Sequence, residues 1–155
     1  MPHIYTHIAT LSDLHTAAAL FDAYRQFYAQ PANLALATQF LADRIRQQES
    51  VIILAQDENQ MALGFCQLYP SFCSADAVRI YTLYDLYVAP QGRRLGIGKQ
   101  LLLAAYAHAQ QQGMARMDLT TAKTNLPAQA LYRSLGWVRD DVFYAYSKQV
   151  AFSPM

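Results

Sequence analysis

The fold is decided by one stretch of the sequence, Tyr84-Asp85-Leu86-Tyr87-Val88-Ala89-Pro90-Gln91-Gly92-Arg93-Arg94-Leu95-Gly96-Ile97-Gly98-Lys99. Its first five residues, Tyr84 to Val88, are mostly aromatic or aliphatic, and they predict the last part of a long strand that runs from Ile80 to Val88. A glycine-containing turn follows, and a helix is predicted from Lys99 to Gln112. Such a turn aims free backbone N–H groups and the positive end of a helix dipole at one point, where a phosphate can bind. An ordinary strand-to-helix turn is the alternative that the spacing alone leaves open.

The residues and glycine spacing of this turn exclude two familiar phosphate-binding motifs. A P-loop requires glycine, four residues and then Gly-Lys-Ser/Thr, but Arg93 stands at the first glycine position and Gln100 at the hydroxyl position. A dinucleotide fingerprint requires Gly-x-Gly-x-x-Gly, whereas Gly92, Gly96 and Gly98 are spaced four and two apart. A phosphate at this turn must therefore be held in another way.

Outward from the turn, hydrophobic periodicity predicts the order β-α-α-β-β-β-α-β-α-β(β). The upstream elements are a strand over Ile4 to Ala9, helices from Asp13 to about Gln30 and from Leu34 to Gln48, strands over Ser50 to Ala55 and Met61 to Tyr69, and a loop over Pro70 to Ala77. The downstream elements are a strand over Met114 to Thr121, a short helix opened by Pro127 and ended by Gly136, and one or two strands within Trp137 to Gln149. Hairpin strands followed by a strand–helix–strand crossover predict an α/β (α+β) fold, with a mixed, mostly antiparallel sheet of six or seven strands flanked by about four helices. We expect a single domain over residues 1–155.

Composition narrows the class of protein. With 54% apolar and 15% charged residues the chain can bury a core, and a formal charge of +1 argues against a broad basic surface for nucleic acid or an anionic membrane. No stretch approaches the roughly 18 apolar residues of a membrane span, and the N-terminus lacks the pattern of a signal peptide. Cys66 and Cys73 are typical of thiols in a reducing compartment, and the four histidines have no metal-ligand spacing. We therefore expect a cytoplasmic protein without a metal.

Two motifs carry a resemblance to a known family. Arg93-x-x-Gly96-x-Gly98, between a strand and a helix, resembles the coenzyme A pyrophosphate loop of the GNAT superfamily of N-acetyltransferases. About 30 residues later, Asn125-x-x-Ala128-x-x-Leu131-Tyr132, followed by Arg133-Ser134-Leu135-Gly136-Trp137, resembles the second signature of the family. The element order matches as well, so the resemblance covers essentially the whole chain and implies a GNAT-like acyl-CoA N-acyltransferase fold.

The resemblance implies acetyl-CoA as the co-substrate. Its pantetheine arm is expected along the backbone of Leu86, Tyr87 and Val88, since an amide-containing arm can add to an exposed strand edge. Its pyrophosphate is expected against the amides of Arg93, Arg94, Leu95, Gly96, Ile97, Gly98 and Lys99. Asn125 and Ala128 are implied as further coenzyme A contacts.

The resemblance also implies the catalytic groups. Tyr132 corresponds to a coenzyme A contact and general acid that protonates the departing thiolate, while a tyrosine of the core is the alternative. Asp85 lies beside the expected reaction centre, where it would accept the amine proton directly or through water, or attract a cationic substrate. A structural carboxylate is the other interpretation, and some family members carry a glutamate one position earlier, where this chain has Tyr84.

Acceptor specificity is expected from the first two helices, which the family uses as a variable wall of the substrate cleft. Tyr24 and Tyr28 share a helix face and Arg25 could bind a substrate carboxylate, although core packing also explains the aromatic residues. The tail from Trp137 to Ser147 resembles small-amine acetyltransferases, including diamine-type ones. The predicted function is transfer of acetyl from acetyl-CoA to a primary amine of a small molecule, polyamine or amino-acid-like, by direct attack.

Two other functions are left open: an acyl-CoA sensor without turnover, and a protein or peptide N-acetyltransferase. Members of the family are often dimers, so a homodimer is an expected assembly, although no apolar stripe in the sequence identifies its interface.

Overall fold

The computed structural model describes residues 2–153, and its element order confirms the predicted fold class. The strands are β1 (Tyr5–Ile8), β2 (Val51–Gln56), β3 (Ala62–Cys73), β4 (Val78–Val88) and β5 (Arg116–Asp118). The helices are α1 (Leu14–Phe27), α2 (Leu34–Arg46), α3 (Ile97–Gln111) and α4 (Leu126–Ser134). The chain divides into two compact units, residues 1–120 and 121–155; the first holds the sheet with α1 to α3, and the second holds α4.

The sheet has the order β1-β2-β3-β4-β5. The first four strands are antiparallel neighbours, whereas β5 runs parallel to β4 because α3 carries the chain back across the sheet. The mixed, mostly antiparallel character of the sheet and the number of α-helices within residues 2–153, four, are as predicted.

The predicted count of six or seven strands is wrong, because residues 2–153 form five. The segment 137–149 contains no strand. There the carboxylate of Asp140 accepts hydrogen bonds from the amides of Val142 (3.1 Å) and Phe143 (3.2 Å), which is a local turn that competes with a sheet ladder. Its apolar residues suggested strands, but from Val138 onward their side chains are exposed, with Tyr144 at 89%.

Strand β3 is longer than predicted, since it continues through Pro70 to Cys73 in place of a loop. Pairing with β2 ends at Leu68, so at Pro70 the strand has only β4 as a neighbour, where Pro70 lies opposite Tyr81. A proline lacks an N–H and is tolerated where a strand is paired on one side only.

The two faces of the sheet are covered by different helices of the first unit. The ring of Phe65 on β3 packs against Phe21 of α1 at 6.2 Å between centroids, within a core to which α2 also contributes. The neighbouring Gly64 faces Ile97 and Leu101 of α3. Because adjacent strand residues point to opposite faces, α1 and α2 lie on one face and α3 on the other. The end of α1 and the start of α3 therefore both lie close to the last residues of β4.

Candidate active site

The bend between β4 and α3 presents a run of unpaired backbone amides. Arg94 and Gly96 adopt left-handed conformations, with φ of +66° and +74°, and α3 begins at Ile97. None of the six amides of residues 94–99 donates a hydrogen bond to an acceptor within residues 2–153. The exposed side chains of Arg93, Arg94 and Lys99 add positive charge. Such a concavity of N–H groups at a helix N-terminus is suited to an anion.

An open strand edge leads into this bend. Strand β5 pairs with β4 only from Ile80 to Thr82, so within the described residues Leu83–Val88 have no strand neighbour on that side. In the ladder with β3, Gln67 pairs with Asp85 and Leu68 with Leu83, which leaves Tyr84 as an extra residue in a β-bulge. The edge and the bend are continuous along the backbone, so an extended polar ligand could follow both.

The predicted pantetheine contacts, Leu86, Tyr87 and Val88, lie on this open edge. The side chain of Tyr87 packs against the rings of Tyr24 and Phe27 of α1, at 6.2 and 6.3 Å between centroids. The backbone of Tyr87 is directed toward β3, because it is paired with Phe65 two residues before the Ala89 N–H that donates to the Leu63 carbonyl. The backbone groups directed outward at the open edge are therefore those of Leu86 and Val88.

A cavity of about 410 Å³ lies in the first unit, between helices α1 and α2 and strands β3 and β4. It brings together all four residues that the sequence analysis assigned to the acceptor: Tyr24, Arg25, Tyr28 and Asp85. Its other lining residues are Phe21, Gln30, Phe40, Tyr69 and Tyr84. The cavity is therefore mostly aromatic, with one acidic and one basic side chain.

Asp85 is 4% exposed and held by neutral hydrogen-bond donors. Gln67 donates from Nε2 to Asp85 Oδ2 at 2.7 Å, and the Tyr24 hydroxyl donates to the same carboxylate. Ser50 Oγ donates to Gln67 Oε1 at 2.7 Å, which fixes the orientation of the amide. No cation within residues 2–153 forms an ion pair with Asp85.

This environment shifts proton affinities in a direction suited to acid–base chemistry. Burial raises the pKa of Asp85 above its usual value, and the hydrogen bonds from Gln67 and Tyr24 only partly oppose that effect. Burial and the nearby Asp85 carboxylate raise the pKa of the Tyr24 phenol, so it stays protonated and can keep donating. A carboxyl group with a raised pKa is a better proton acceptor than an ordinary aspartate.

Arg25, unlike Asp85, has a buried polar atom without a hydrogen-bond partner among residues 2–153. Its Nη1 atom is buried and makes no hydrogen bond with any group in residues 2–153, although the side chain lines the cavity. A buried donor without an acceptor is unfavourable. This atom is therefore a candidate contact for an anionic group.

The second unit contains the other predicted site residues. Asn125 caps α4, with its Oδ1 accepting a hydrogen bond from the Ala128 amide at 3.3 Å. Tyr132 lies within α4, and its ring is 6.0 Å from that of Trp137. In this unit the second signature thus forms a capped helix that carries Tyr132, followed by a turn at Gly136, where φ is +89°.

Sequence reasoning missed several residues of the cavity and its support. Gln67 left a usable signal, because a glutamine among apolar strand residues needs a buried partner. Strict strand alternation places Tyr84 and Asp85 on opposite faces, and only the bulge lets both line the cavity. Ser50, Phe40 and Tyr69 gave no signal, since the fold alone brings them near Asp85.

Comparison with known proteins assigns the family. The acetyltransferase (GNAT) family matches residues 17–137. An uncharacterized N-acetyltransferase of Bacillus subtilis (strain 168), YhfO, is 42% identical over 142 residues, which cover 92% of this chain and 95% of that protein. The chain belongs to the GNAT family and is an acetyltransferase.

Solved structures support the same fold. The crystal structure of a probable acetyltransferase is 39% identical, with a TM-score of 0.87, and the match covers 97% of this chain and 99% of that one. The aminoglycoside N-acetyltransferase AAC(6')-Iy in complex with CoA is 17% identical with a TM-score of 0.80 and 97% coverage of both chains, a likeness of fold alone. Among residues 2–153, no helix has the length and apolar character needed to cross a membrane.

Proposed function

We propose that this chain transfers the acetyl group of acetyl-CoA to a primary amine of a small molecule by direct attack. In this proposal residues 1–155 act as one GNAT domain, since the family match runs from residue 17 to residue 137 across both units. The proposal depends mainly on the six unpaired backbone amides of residues 94–99, which are continuous with the open edge of β4.

Those features support a coenzyme A site. The amides of residues 94–99, with Arg93, Arg94 and Lys99, would hold the pyrophosphate, and the backbone of Leu86 to Val88 would hold the pantetheine arm. Bound acetyl-CoA supplies the acetyl group as a thioester. Asn125 and Ala128 stay proposed as further contacts, and their hydrogen bond in the helix cap orders the segment around them.

The acceptor amine would enter the cavity beside Asp85. A primary amine has a pKa of about 10.4 and must lose a proton before it can attack. Asp85 would attract the ammonium group and accept that proton, directly or through water, and its raised pKa supports this role. Tyr24 and Tyr28 would contact the carbon chain of the acceptor.

Two side chains, Asp85 and Tyr132, would transfer the protons of this reaction. The ammonium group gives its first proton to Asp85 before attack, and Asp85 passes it to solvent. The amine nitrogen then forms a bond to the acetyl carbon as the carbon–sulfur bond breaks, and the second proton that it loses replaces, by way of solvent, the proton that Tyr132 gives to the thiolate. Tyr132 would protonate the departing thiolate, the role that its place in the second signature suggests.

An acetyl-enzyme on cysteine is disfavoured. Cys66 is buried, and burial raises the pKa of its thiol to about 12, so little thiolate forms at neutral pH. Cys73 is partly exposed, its thiol donates a hydrogen bond to Asp76 Oδ2 over 3.6 Å, and it is not among the residues that line the cavity beside Asp85.

The test is release of coenzyme A thiol from acetyl-CoA with polyamines, amino acids, aminoglycosides and peptides, with the acetylated product identified by mass spectrometry. We expect amine-dependent release with a small primary amine and no stable acetyl-cysteine on the protein. Calorimetry that shows no binding of coenzyme A would overturn the donor site. Binding without turnover on any amine would favour a sensor, and turnover on peptides alone would favour a protein acetyltransferase.

A further inference from the structure

The cavity carries two opposite charges that do not neutralise each other. Asp85 and Arg25 both line it. The ion pairs found within residues 2–153 do not include either side chain, so no nitrogen of Arg25 lies within 4.0 Å of the Asp85 carboxylate. Asp85 is held by two neutral donors, while Nη1 of Arg25 is buried without any acceptor. The site thus keeps one negative and one positive group for a ligand.

Each group selects a chemical partner. A guanidinium presents a planar fork of N–H donors that matches a carboxylate in a bidentate manner. A buried carboxylate beside a cavity attracts a primary ammonium. A ligand that carries both groups at a spacing matching these two side chains pairs with Arg25 and Asp85 at once, whereas a ligand with one group leaves the other charge without a partner.

The walls and the size of the cavity agree with a small molecule. A volume of about 410 Å³ is at the small end of the range for ligand sites. Aromatic rings of Phe21, Tyr24, Tyr28 and Phe40 line it and would pack against a carbon skeleton. A polyamine fits less well, because its second ammonium would meet the positive charge of Arg25.

We propose that the acceptor is an amino acid, bound with its ammonium group at Asp85 and its carboxylate at Arg25. This inference rests on the proposed function and narrows its substrate class to amino carboxylic acids over polyamines. The reaction joins the amine nitrogen to the acetyl carbon, cleaves the thioester carbon–sulfur bond, and yields an N-acetyl amino acid, coenzyme A thiol and one proton.

The test compares pairs of amines that differ only in the carboxylate: phenylalanine with phenethylamine, and lysine with cadaverine. We expect kcat/KM for thiol release to be at least about 10-fold higher for the amino acid of a pair that fits the cavity. Arg25→Met should lower kcat/KM for that amino acid by about 10- to 100-fold and change the decarboxylated amine by less than about 3-fold. Arg46→Met, which removes an exposed arginine outside the cavity, should leave both unchanged.

Binding is measured in parallel, by calorimetry of phenylalanine and lysine and their decarboxylated partners with the protein saturated in coenzyme A. Amino-acid binding that Arg25→Met abolishes would support the inference even if no amine is acetylated, in which case only the proposed function fails. Turnover that favours cadaverine or phenethylamine, or an equal effect of Arg25→Met on both members of a pair, would overturn the inference and leave the acetyltransferase function standing. Absence of both binding and turnover for the amino acids would also overturn it.

Two further comparisons test whether Arg25 recognises a carboxylate through its planar fork of N–H donors. Arg25→Lys retains the charge without the fork, so it should reduce the preference for the amino acid less than Arg25→Met does, and it serves if the methionine variant does not fold. Phosphoethanolamine replaces the carboxylate of β-alanine by a phosphate on a similar spacer. A clear preference for phosphoethanolamine over β-alanine would overturn the assignment of a carboxylate to Arg25.

Discussion

Gln67 donates a hydrogen bond from Nε2 to Asp85 Oδ2 over 2.7 Å, and both side chains are buried. The oxygen of the same amide accepts from Ser50 Oγ at 2.7 Å, so the amide cannot turn without losing both bonds. The two residues are also opposite each other in the β3–β4 ladder, next to the bulge at Tyr84. Asp85 is thus held in one orientation by a neutral partner and retains its charge for a ligand.

Replacing Gln67 by methionine should shift the pH dependence of turnover. The hydrogen bond from Gln67 lowers the pKa of Asp85, so its loss raises that pKa further. Because Asp85 must be ionised to accept a proton, activity is lost as pH falls through this pKa, and the acidic limb of kcat/KM should move to higher pH. The control is Gln110→Met on the exposed side of α3. An unmoved acidic limb, with only a lower melting temperature, would make Gln67 a purely structural residue.

Asp85→Asn should separate stability from activity. Burial raises the pKa of Asp85 above 3.8, so between 3.8 and the raised value the folded chain binds a proton that the unfolded chain does not. The contribution of Asp85 to stability therefore falls as pH rises through that window, and the asparagine variant avoids the loss. We expect the variant to melt at a higher temperature at neutral pH, by about 2–4 °C for each 1 kcal/mol gained, and the difference to shrink toward about pH 4.

The same variant should lose turnover by about 100-fold or more, because it removes the proposed proton acceptor. The pair of measurements is thermal melting across pH and thiol release at saturating acetyl-CoA, with Asp141→Asn as the control for an exposed aspartate. A variant that is less stable at every pH would mean that the hydrogen-bond network stabilises the fold more than the buried charge destabilises it.

The fold was predictable from the sequence because periodicity and turn residues are local signals. Strands β1 to β4 and the four helices follow from the alternation and helical spacing of apolar residues. The strands expected after Trp137 were wrong, since an apolar segment pairs only where the fold supplies a neighbour. The extension of β3 through Pro70 was missed for a related reason: whether a proline is tolerated depends on which strand edge is vacant, and tertiary structure decides that.

The site was predictable in part. The sequence analysis named four acceptor-site residues that the structure places around one cavity: Tyr24, Arg25, Tyr28 and Asp85. Their roles stay proposed. The bulge at Tyr84 could not be predicted, because tyrosine is a good strand former and nothing nearby marks an extra residue. The link from Ser50 through Gln67 to Asp85 joins three strand-region positions far apart in sequence, so only pairing register reveals it.

Tyr132→Phe should reduce turnover while leaving coenzyme A binding intact. The substitution keeps the ring, and with it the packing against Trp137 at 6.0 Å between centroids, so the fold of α4 should persist. Loss of the proposed proton donor should lower kcat by about 100-fold or more. Calorimetry with coenzyme A and thiol release measure the two properties, and Tyr106→Phe on exposed α3 is the control. Full turnover in the Tyr132 variant would remove that residue from the mechanism.

Gly96→Ala should weaken coenzyme A binding by changing the backbone conformation of the bend, and Gly113→Ala serves as the matched control. Gly96 has φ of +74°, and an added Cβ would meet nothing within 4 Å, so the substitution introduces conformational strain without a clash. Gly113 after the other end of α3 has φ of +71° and equally open surroundings. Each alanine should therefore destabilise the fold by about 1–2 kcal/mol in chemical denaturation. Only Gly96→Ala should redirect the amides of residues 94–99, and we expect it to raise the Kd for coenzyme A at least about 10-fold in calorimetry, which is about 1.4 kcal/mol. Equal Kd values for the two variants would show that these amides do not hold the pyrophosphate.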